Sequence, residues 1–456
     1  MVGPMKGAND DSGSFRIVTL GCKVNQYEST FLKEALLRGG WTDVSANKGA
    51  ADLYVINTCI VTQRASYQSR QAVRRAIRDN PSAVVAATGC YAQVYPEELS
   101  NIKGLDLVVG NTMKAQLPNI LQHFRKGNAP CIVRADFASS LPFEFLPVQG
   151  AAGRTRAFLK IQDGCNAFCT YCIVPFARGP LRSLDPQKVL SEVHGFSDRG
   201  YKEVVLTGIH LGKYGEDLAP RTNLKSLLHL IGGERLALRI RLSSIEANEI
   251  DPELIEMVAS ERWLCRHFHV PLQSGDDAVL KKMKRDYSSM EFASLIERIY
   301  EKIPFAAIGV DVMAGFPGES AEAYRNTLAL LTDLPISYLH VFPYSARKGT
   351  AAFFLENRVD PAEVKRRTAE LRELGRRKRE AFYRSCLGEV YAVITEGWES
   401  EQEKVAKGFS DNYLKICFSA QKATKEKIVP VMAQYVNGNK VYGRVVRSRT
   451  LAHYLR

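Results

Sequence analysis

Eight consecutive residues constrain this chain more than any others: Cys165-Asn166-Ala167-Phe168-Cys169-Thr170-Tyr171-Cys172. Whatever fold forms must deliver three thiols to one point from a single short loop. Thiolates are soft donors, and three of them suit three irons of a 4Fe-4S cube. The fourth iron then lacks a protein ligand. On a structural cluster an open position has no purpose; on a catalytic one it is where a substrate binds. A zinc knuckle would require a further His or Cys at finger spacing, and none follows the loop.

With 456 residues, the chain has room for two to four domains, and 45% hydrophobic content allows them sizeable cores. No apolar run approaches the length of a membrane-spanning helix. Residues 1–14 are polar and glycine-rich, and are expected to form a disordered tail rather than a secretory signal. A cytoplasmic location is therefore expected. The formal net charge of +13 implies a polyanionic partner, most simply nucleic acid. Ten cysteines in such a compartment point to metal or redox chemistry rather than to disulfides.

The predicted fold class is α/β, in three parts. The first, residues 15–137, alternates apolar strands (15–20, 52–56, 83–88, 106–109) with amphipathic helices (26–37, 65–78, 96–100). Such alternation predicts a parallel sheet with covered faces. Cys22 follows the first strand, Cys59 the second and Cys90 the third. Parallel strands point the same way, so the three thiols are expected at one edge, the carboxyl edge where such folds bind ligands. This trio reads as the ligand set of a second 4Fe-4S cluster. The plainer alternative is three small buried apolar residues. Gly21 and Gly89 argue against it, because a glycine beside the thiol lets backbone approach a bulky group.

A linker over 138–153, marked by Pro142, Pro147, Gly150 and Gly153, leads to the second part, residues 154–386. Six strands (157–162, 203–206, 238–242, 267–270, 308–312, 338–342) separated by helical stretches such as 186–199 and 291–302 predict an open (β/α)6 barrel, three-quarters of a TIM barrel. Polar and glycine-bearing motifs follow these strands in register, as catalytic loops of such barrels do. The third part, residues 387–456, has strand-like stretches at 390–395, 412–418, 427–431 and 441–446. They predict a small antiparallel β-barrel of the OB type, a common oligonucleotide binder. Ahead of it runs a basic helix, 361–384, which is either a solvated face or an RNA contact. Cys131, Cys265, Cys386 and Cys417 show no ligand spacing and read as packing residues.

The cysteine loop resembles the signature of radical S-adenosylmethionine (SAM) enzymes. More specifically, Leu20-Gly21-Cys22-Lys23-Val24-Asn25-Gln26-Tyr27-Glu28-Ser29, Asn57-Thr58-Cys59 with Val61-Thr62, and Gly89-Cys90-Tyr91-Ala92-Gln93 resemble the opening of the methylthiotransferases. Residues 161–183 and His267-Phe268-His269-Val270-Pro271-Leu272-Gln273-Ser274-Gly275 continue the match over nearly the whole chain. Lys23-Val24-Asn25-Gln26 is similar to the MtaB branch, and the C-terminal part resembles a TRAM domain.

The resemblance implies an enzyme that replaces C–H by C–S–CH3 at carbon 2 of N6-threonylcarbamoyladenosine in the tRNA anticodon stem-loop. It implies two 4Fe-4S clusters and two SAM molecules per product, and names neither the electron donor nor the sulfur donor. Cys165, Cys169 and Cys172 would hold the SAM-cleaving cluster, and Cys22, Cys59 and Cys90 the sulfur-carrying one. By analogy with radical SAM barrels, Tyr171, Gly208, Gln273, Ser274, Gly315 and Pro317 are expected to contact SAM. Arg178 and Arg182 are expected to grip the threonylcarbamoyl carboxylate. Arg64, Arg70, Arg74, Arg75 and Arg78 form a basic helix suited to tRNA phosphates. Two rivals stand beside this reading. One is a sibling enzyme acting on isopentenyladenosine or on a ribosomal-protein aspartate. The other is an iron–sulfur RNA-binding protein without catalysis.

Overall fold

The computed structural model describes residues 13–46, 49–127, 129–137, 142–150, 155–420 and 428–446. The expected disordered tail lies outside the described residues except for its last two positions. So do residues 138–141 and 151–153 of the expected linker and the last ten residues of the chain. The chain divides into two compact units: Met1–Gln149 with Gln162–Arg182 and Ser345–Phe353, and Gly150–Ile161 with Ser183–Tyr344 and Phe354–Arg456.

In the first unit, strands β1 (Ser14–Thr19), β2 (Thr42–Asp43), β3 (Leu53–Thr58), β4 (Val84–Gly89), β5 (Leu107–Val109) and β6 (Cys131–Val133) form a sheet in the order β2-β1-β3-β4-β5-β6. Every pairing in it is parallel. Central strands β3 and β4 are buried along their whole length, as continuous apolar runs in a covered parallel sheet must be. Helices Lys23–Arg38 and Gln63–Asp79 are among the crossovers, and Thr62 caps the second by accepting from the Ala65 N–H. Ile173 and Ala177, just beyond the cysteine loop, are buried in the same apolar core as Ile56, Val85 and Tyr91. That burial anchors the loop in this unit. Two short strands, β8 (Gln162–Asp163) and β9 (Arg182–Ser183), pair at its neck.

The second unit carries six parallel barrel strands: β7 (Arg156–Lys160), β10 (Glu203–Thr207), β11 (Arg239–Leu242), β12 (His267–Gln273), β13 (Ala307–Ala314) and β14 (Tyr338–Pro343). They form two sheets, β7-β10-β11 and β12-β13-β14. Ile240 of β11 bridges in parallel to Leu264, on the segment leading into β12, so the strands follow one another in chain order around an open barrel. Its crossover helices begin on side-chain caps from Asp185, Asn223, Asp251, Ser288 and Ser320, and Ser288 with Glu291 completes a capping box. No helix among the described residues is long and apolar enough to cross a membrane.

The C-terminal strands β15 (Val390–Ser400), β16 (Val405–Phe409), β17 (Lys415–Ser419), β18 (Ile428–Asn437) and β19 (Lys440–Val445) close a barrel in the order β15-β16-β17-β19-β18. The expected antiparallel barrel is corrected to a mixed one, because β17 and β19 run parallel. Parity requires this: an odd number of strands cannot alternate direction around a closed ring. Tyr391, Val393, Ile416, Phe418 and Val431 fill its interior.

Candidate metal centres

Cys22, Cys59 and Cys90 follow β1, β3 and β4 at the carboxyl edge of the sheet. Gly21 has φ +97°, and a Cβ there would come within 2.9 Å of Cys59 Sγ, so only glycine lets the Cys22 loop approach so closely. Asn25 fastens the two loops: its amide donates to the Leu20 carbonyl at 2.7 Å and to the Thr58 carbonyl at 3.1 Å. Ser69 exchanges hydrogen bonds with the Cys59 backbone at 3.2 Å. Cys59 and Cys90 are buried, whereas Cys22 is exposed, which opens the trio on one side. Burial, with Cys90 beside it, pushes the Cys59 thiol up to about 12.

Cys165, Cys169 and Cys172 are each half-buried on a tight loop. The Cys172 N–H donates to the Cys169 carbonyl at 2.9 Å, and the Cys165 N–H to the Gly179 carbonyl at 3.1 Å. Phe168 takes a positive φ of 46° between them. Tyr171 is half-buried beside the last cysteine.

Arg178 links the two trios. It lies at the end of helix Val174–Arg178, directly after the second loop, and is 1% exposed. Its Nε donates to Cys90 Sγ at 3.3 Å, Nη2 to Asn25 Oδ1 at 2.6 Å and Nη1 to Glu28 Oε1 at 2.5 Å. Asp163 lies 3.4 Å from Nη1, and Lys114 pairs with the other oxygen of Glu28. The expected grip of Arg178 on a substrate carboxylate does not fit this placement, since its donors are already met inside the protein. Burial alone would lower its pKa, but Cys90, Glu28 and Asp163 outweigh burial and raise it. Arg182 donates to the Arg178 carbonyl at 2.6 Å and lies over the Phe137 ring, leaving Nε buried without a partner among the described residues.

The expected SAM positions of the barrel lie at the carboxyl ends of its strands. Gly208 follows β10, Gln273 ends β12 at a register shift with φ +71°, and Gly315 follows β13. Pro317 is buried just beyond Gly315. The Ser274 hydroxyl lies 3.3 Å from Thr327 Oγ1 and accepts from the Asp276 N–H, so it closes the turn behind Gln273. Inside the barrel, Asp311 accepts from His269 at 2.8 Å and from His340 at 3.2 Å. Burial would raise the Asp311 carboxyl, but the two imidazoles hold it well below its ordinary range.

Residues 14–110 match the model of a family described as uncharacterized protein family UPF0004, and residues 159–331 that of the Radical SAM superfamily. The chain is 39% identical over 440 residues to the Bacillus subtilis protein named threonylcarbamoyladenosine tRNA methylthiotransferase MtaB, covering 95% of this chain and 97% of that one. With the Aquifex aeolicus protein of the same name it shares 43% over 381 residues, covering 83% of this chain and 92% of that one. This chain belongs to the methylthiotransferase family of radical SAM enzymes. A more distant relative, the tRNA-2-methylthio-N(6)-dimethylallyladenosine synthase of Fusobacterium nucleatum, is 30% identical over 435 residues, 94% of this chain and 99% of that one. Among solved structures, the radical SAM methyltransferase TsrM from Kitasatospora setae shares the fold, with a TM-score of 0.53 at 17% identity over 72% of each chain.

SAM and iron–sulfur clusters come with membership of the methylthiotransferases, and the donor sets fit them. Each trio offers thiols alone. Around Cys90, N–H donors of Arg178 at 3.3 Å and of Asn111 at 3.6 Å are directed at the sulfur, as outer partners of a metal ligand are. A bound metal would take the place of the protons that burial keeps on Cys59. Cys265, Cys386 and Cys417 are buried, as expected of packing residues, but Cys131 is exposed on edge strand β6. Sequence reading missed the braces Asn25, Glu28, Lys114 and Asn111. Asn25 and Glu28 stand within the motif over residues 20–29, yet nothing local shows that Lys114 and Arg178 come to meet them.

Proposed function

We propose that this methylthiotransferase acts on N6-threonylcarbamoyladenosine in tRNA, at carbon 2 of the adenine just 3′ of the anticodon, binding the anticodon stem-loop in the cytoplasm. Carbon 2 has no acidic proton, so general acid–base side chains have nothing to work on there. Two 4Fe-4S clusters with two SAM molecules would supply the missing chemistry, one on Cys165, Cys169 and Cys172 for reductive SAM cleavage and one on Cys22, Cys59 and Cys90 for the inserted sulfur. The chain's own residues hold and shield these groups. Arg178 and Asn111 steady Cys90, and Asn25 keeps the Cys22 and Cys59 loops together. At the carboxyl ends of the barrel strands, Gly208, Gln273, Gly315 and Pro317 receive SAM, while Ser274 sets the Gln273 turn. Arg182 keeps one N–H for an anionic ligand.

The observation that supports this reading most is the sharing of one unit by both cysteine trios, with Arg178 of one loop bonded to Cys90 of the other. The choice of nucleoside follows the names of the relatives at 39% and 43% identity. Mass spectrometry of tRNA nucleosides from a deletion strain tests it. Loss of methylthio-threonylcarbamoyladenosine, restored by the intact gene, is expected; loss of a different methylthio nucleoside would overturn the substrate. Reconstituted protein should carry about eight irons, and Cys22→Ala about half as many. A variant with unchanged iron would remove the second cluster from the proposal.

A further inference from the structure

Arg347 lies on the segment Ser345–Phe353, which belongs to the unit holding both cysteine trios. It is 6% exposed. Nη1 donates to Ser66 Oγ at 3.1 Å, whereas Nε and Nη2 are buried without a hydrogen-bond partner among the described residues. Four other buried arginines are answered by acids: Arg178 by Glu28, Arg239 and Arg241 by Glu203, Arg367 by Glu319. At Arg178, Arg241 and Arg367 burial lowers the pKa but acidic or thiol partners outweigh it; at Arg347 burial prevails. An unanswered buried guanidinium is expensive, so a protein keeps one where a ligand will answer it.

The orphaned donors are not a random pair. Nε–H and Nη2–H share one edge of the guanidinium plane and point the same way, at the spacing of two oxygens of a carboxylate or phosphate. Their setting is rigid. The Thr350 N–H and hydroxyl both donate to the Arg347 carbonyl, at 3.1 and 2.8 Å. The Gln63 N–H donates to Ser345 Oγ at 2.8 Å, the Tyr95 hydroxyl to the Lys348 carbonyl, and the Ala352 N–H to the Thr170 carbonyl at 2.7 Å. The segment is thus tied to the helix that follows Cys59 and to the loop that carries Cys169 and Cys172. Tyr95, Cys59, Tyr91 and Glu98 act on Arg347 through space, and none of them outweighs its burial. The Glu98 carboxylate accepts from the Tyr91 hydroxyl at 2.6 Å and pairs with no donor of Arg347. Arg182 is a poorer candidate for the same task, with one orphaned donor and Asp163 4.0 Å away.

We propose that Arg347 receives an oxyanion of the nucleotide being modified, in a two-point hydrogen bond from Nε and Nη2. The inference rests on the proposed function in taking tRNA as the substrate. The oxyanion has two sources on one nucleotide, the threonylcarbamoyl carboxylate and the phosphodiester, and they are separable. Full-length reconstituted protein and its Arg347→Gln and Arg347→Lys variants are titrated with two synthetic anticodon stem-loops, one bearing threonylcarbamoyladenosine and one bearing plain adenosine. Arg347→Gln is expected to weaken binding by about ten- to a hundredfold, and Arg347→Lys by less, with iron content unchanged. A loss confined to the threonylcarbamoyl stem-loop assigns the carboxylate; an equal loss on both assigns the phosphodiester. Unchanged affinity for both overturns the proposal. So does a Gln variant that loses iron while Lys keeps it, since the donors would then belong to the metal centre. A wild type that methylthiolates neither stem-loop, yet binds them with an affinity that falls in Arg347→Gln, would fail the proposed reaction while Arg347 still answers an oxyanion of the bound RNA.

Discussion

Gly89 shows how closely single residues set the metal centres. Its φ is +98°, and a Cβ there would lie 2.5 Å from the Thr58 carbonyl oxygen. Only glycine lets β4 turn at that point and present Cys90 beside Cys59. Gly89→Ala should lose about 1–3 kcal/mol in urea denaturation, with iron lost from the first trio before the second. Arg178 acts at the same scale. A fully buried cation between a thiol and two carboxylates is a brace, because each donor already has a partner of opposite charge or an acceptor. Arg347 differs only in lacking such partners, and that single difference turns a buried arginine from structural to receptive.

At the scale of elements, two basic helices separate by how their charges are met. On helix Pro361–Ser385, Arg366, Arg376 and Arg384 pair with Glu363, Glu370, Glu373 and Glu380 at helical spacing. Lys378 donates to the carbonyls of Thr332 and Leu334. Those pairs make it a self-balanced face more than an RNA contact. Helix Gln63–Asp79 instead exposes Arg64, Arg74, Arg75 and Arg78, with the 3.9 Å Arg75–Asp79 pair as an acidic partner among the described residues. Arg74→Gln and Arg78→Gln should each weaken tRNA binding and lower the slope of log affinity against log salt by about one for each phosphate no longer neutralised. Arg376→Gln should leave both affinity and slope unchanged. Filter binding across a salt series distinguishes the two helices.

At the scale of the molecule, the C-terminal barrel is fastened to the amino ends of the radical SAM barrel strands, away from the carboxyl edge. Glu203, at the start of β10, accepts from Arg239 at 2.6 Å and from Arg241 at 2.8 Å. Those arginines reach on to carbonyls of the second barrel, Arg239 to Ala392 and Arg241 to Ser410 and Asp411, all near 2.8–2.9 Å. Arg266 adds an ion pair to Asp411 at 2.7 Å. Burial would raise the Glu203 carboxyl, but Arg241 and Arg239 outweigh it and hold the pKa well below the ordinary range. A depressed carboxylate contributes stability above its unfolded pKa, about 4.3, and loses it as pH falls toward the folded value. Glu203→Gln should therefore cost about 3–5 kcal/mol near neutrality. The gap from the wild type should narrow as pH drops below about 4, read by denaturant melts across pH.

Much of this architecture is written locally. Spacing of Cys165, Cys169 and Cys172, the placement of Cys22, Cys59 and Cys90 after apolar strands, and the alternation of strand and helix all depend on neighbours in the chain, so periodicity and motif expose them. The thin edge strands β2 and β6 escaped, since two or three residues carry no period. The parallel β17–β19 pair escaped because it follows from ring closure rather than from either strand's residues. Tertiary structure alone decided which arginines are answered. Glu28 meets Arg178 across 150 positions and Ser66 meets Arg347 across 281. No local pattern encodes a partner so distant, yet burial without water makes that partner decide whether a charge is a brace or a binding site.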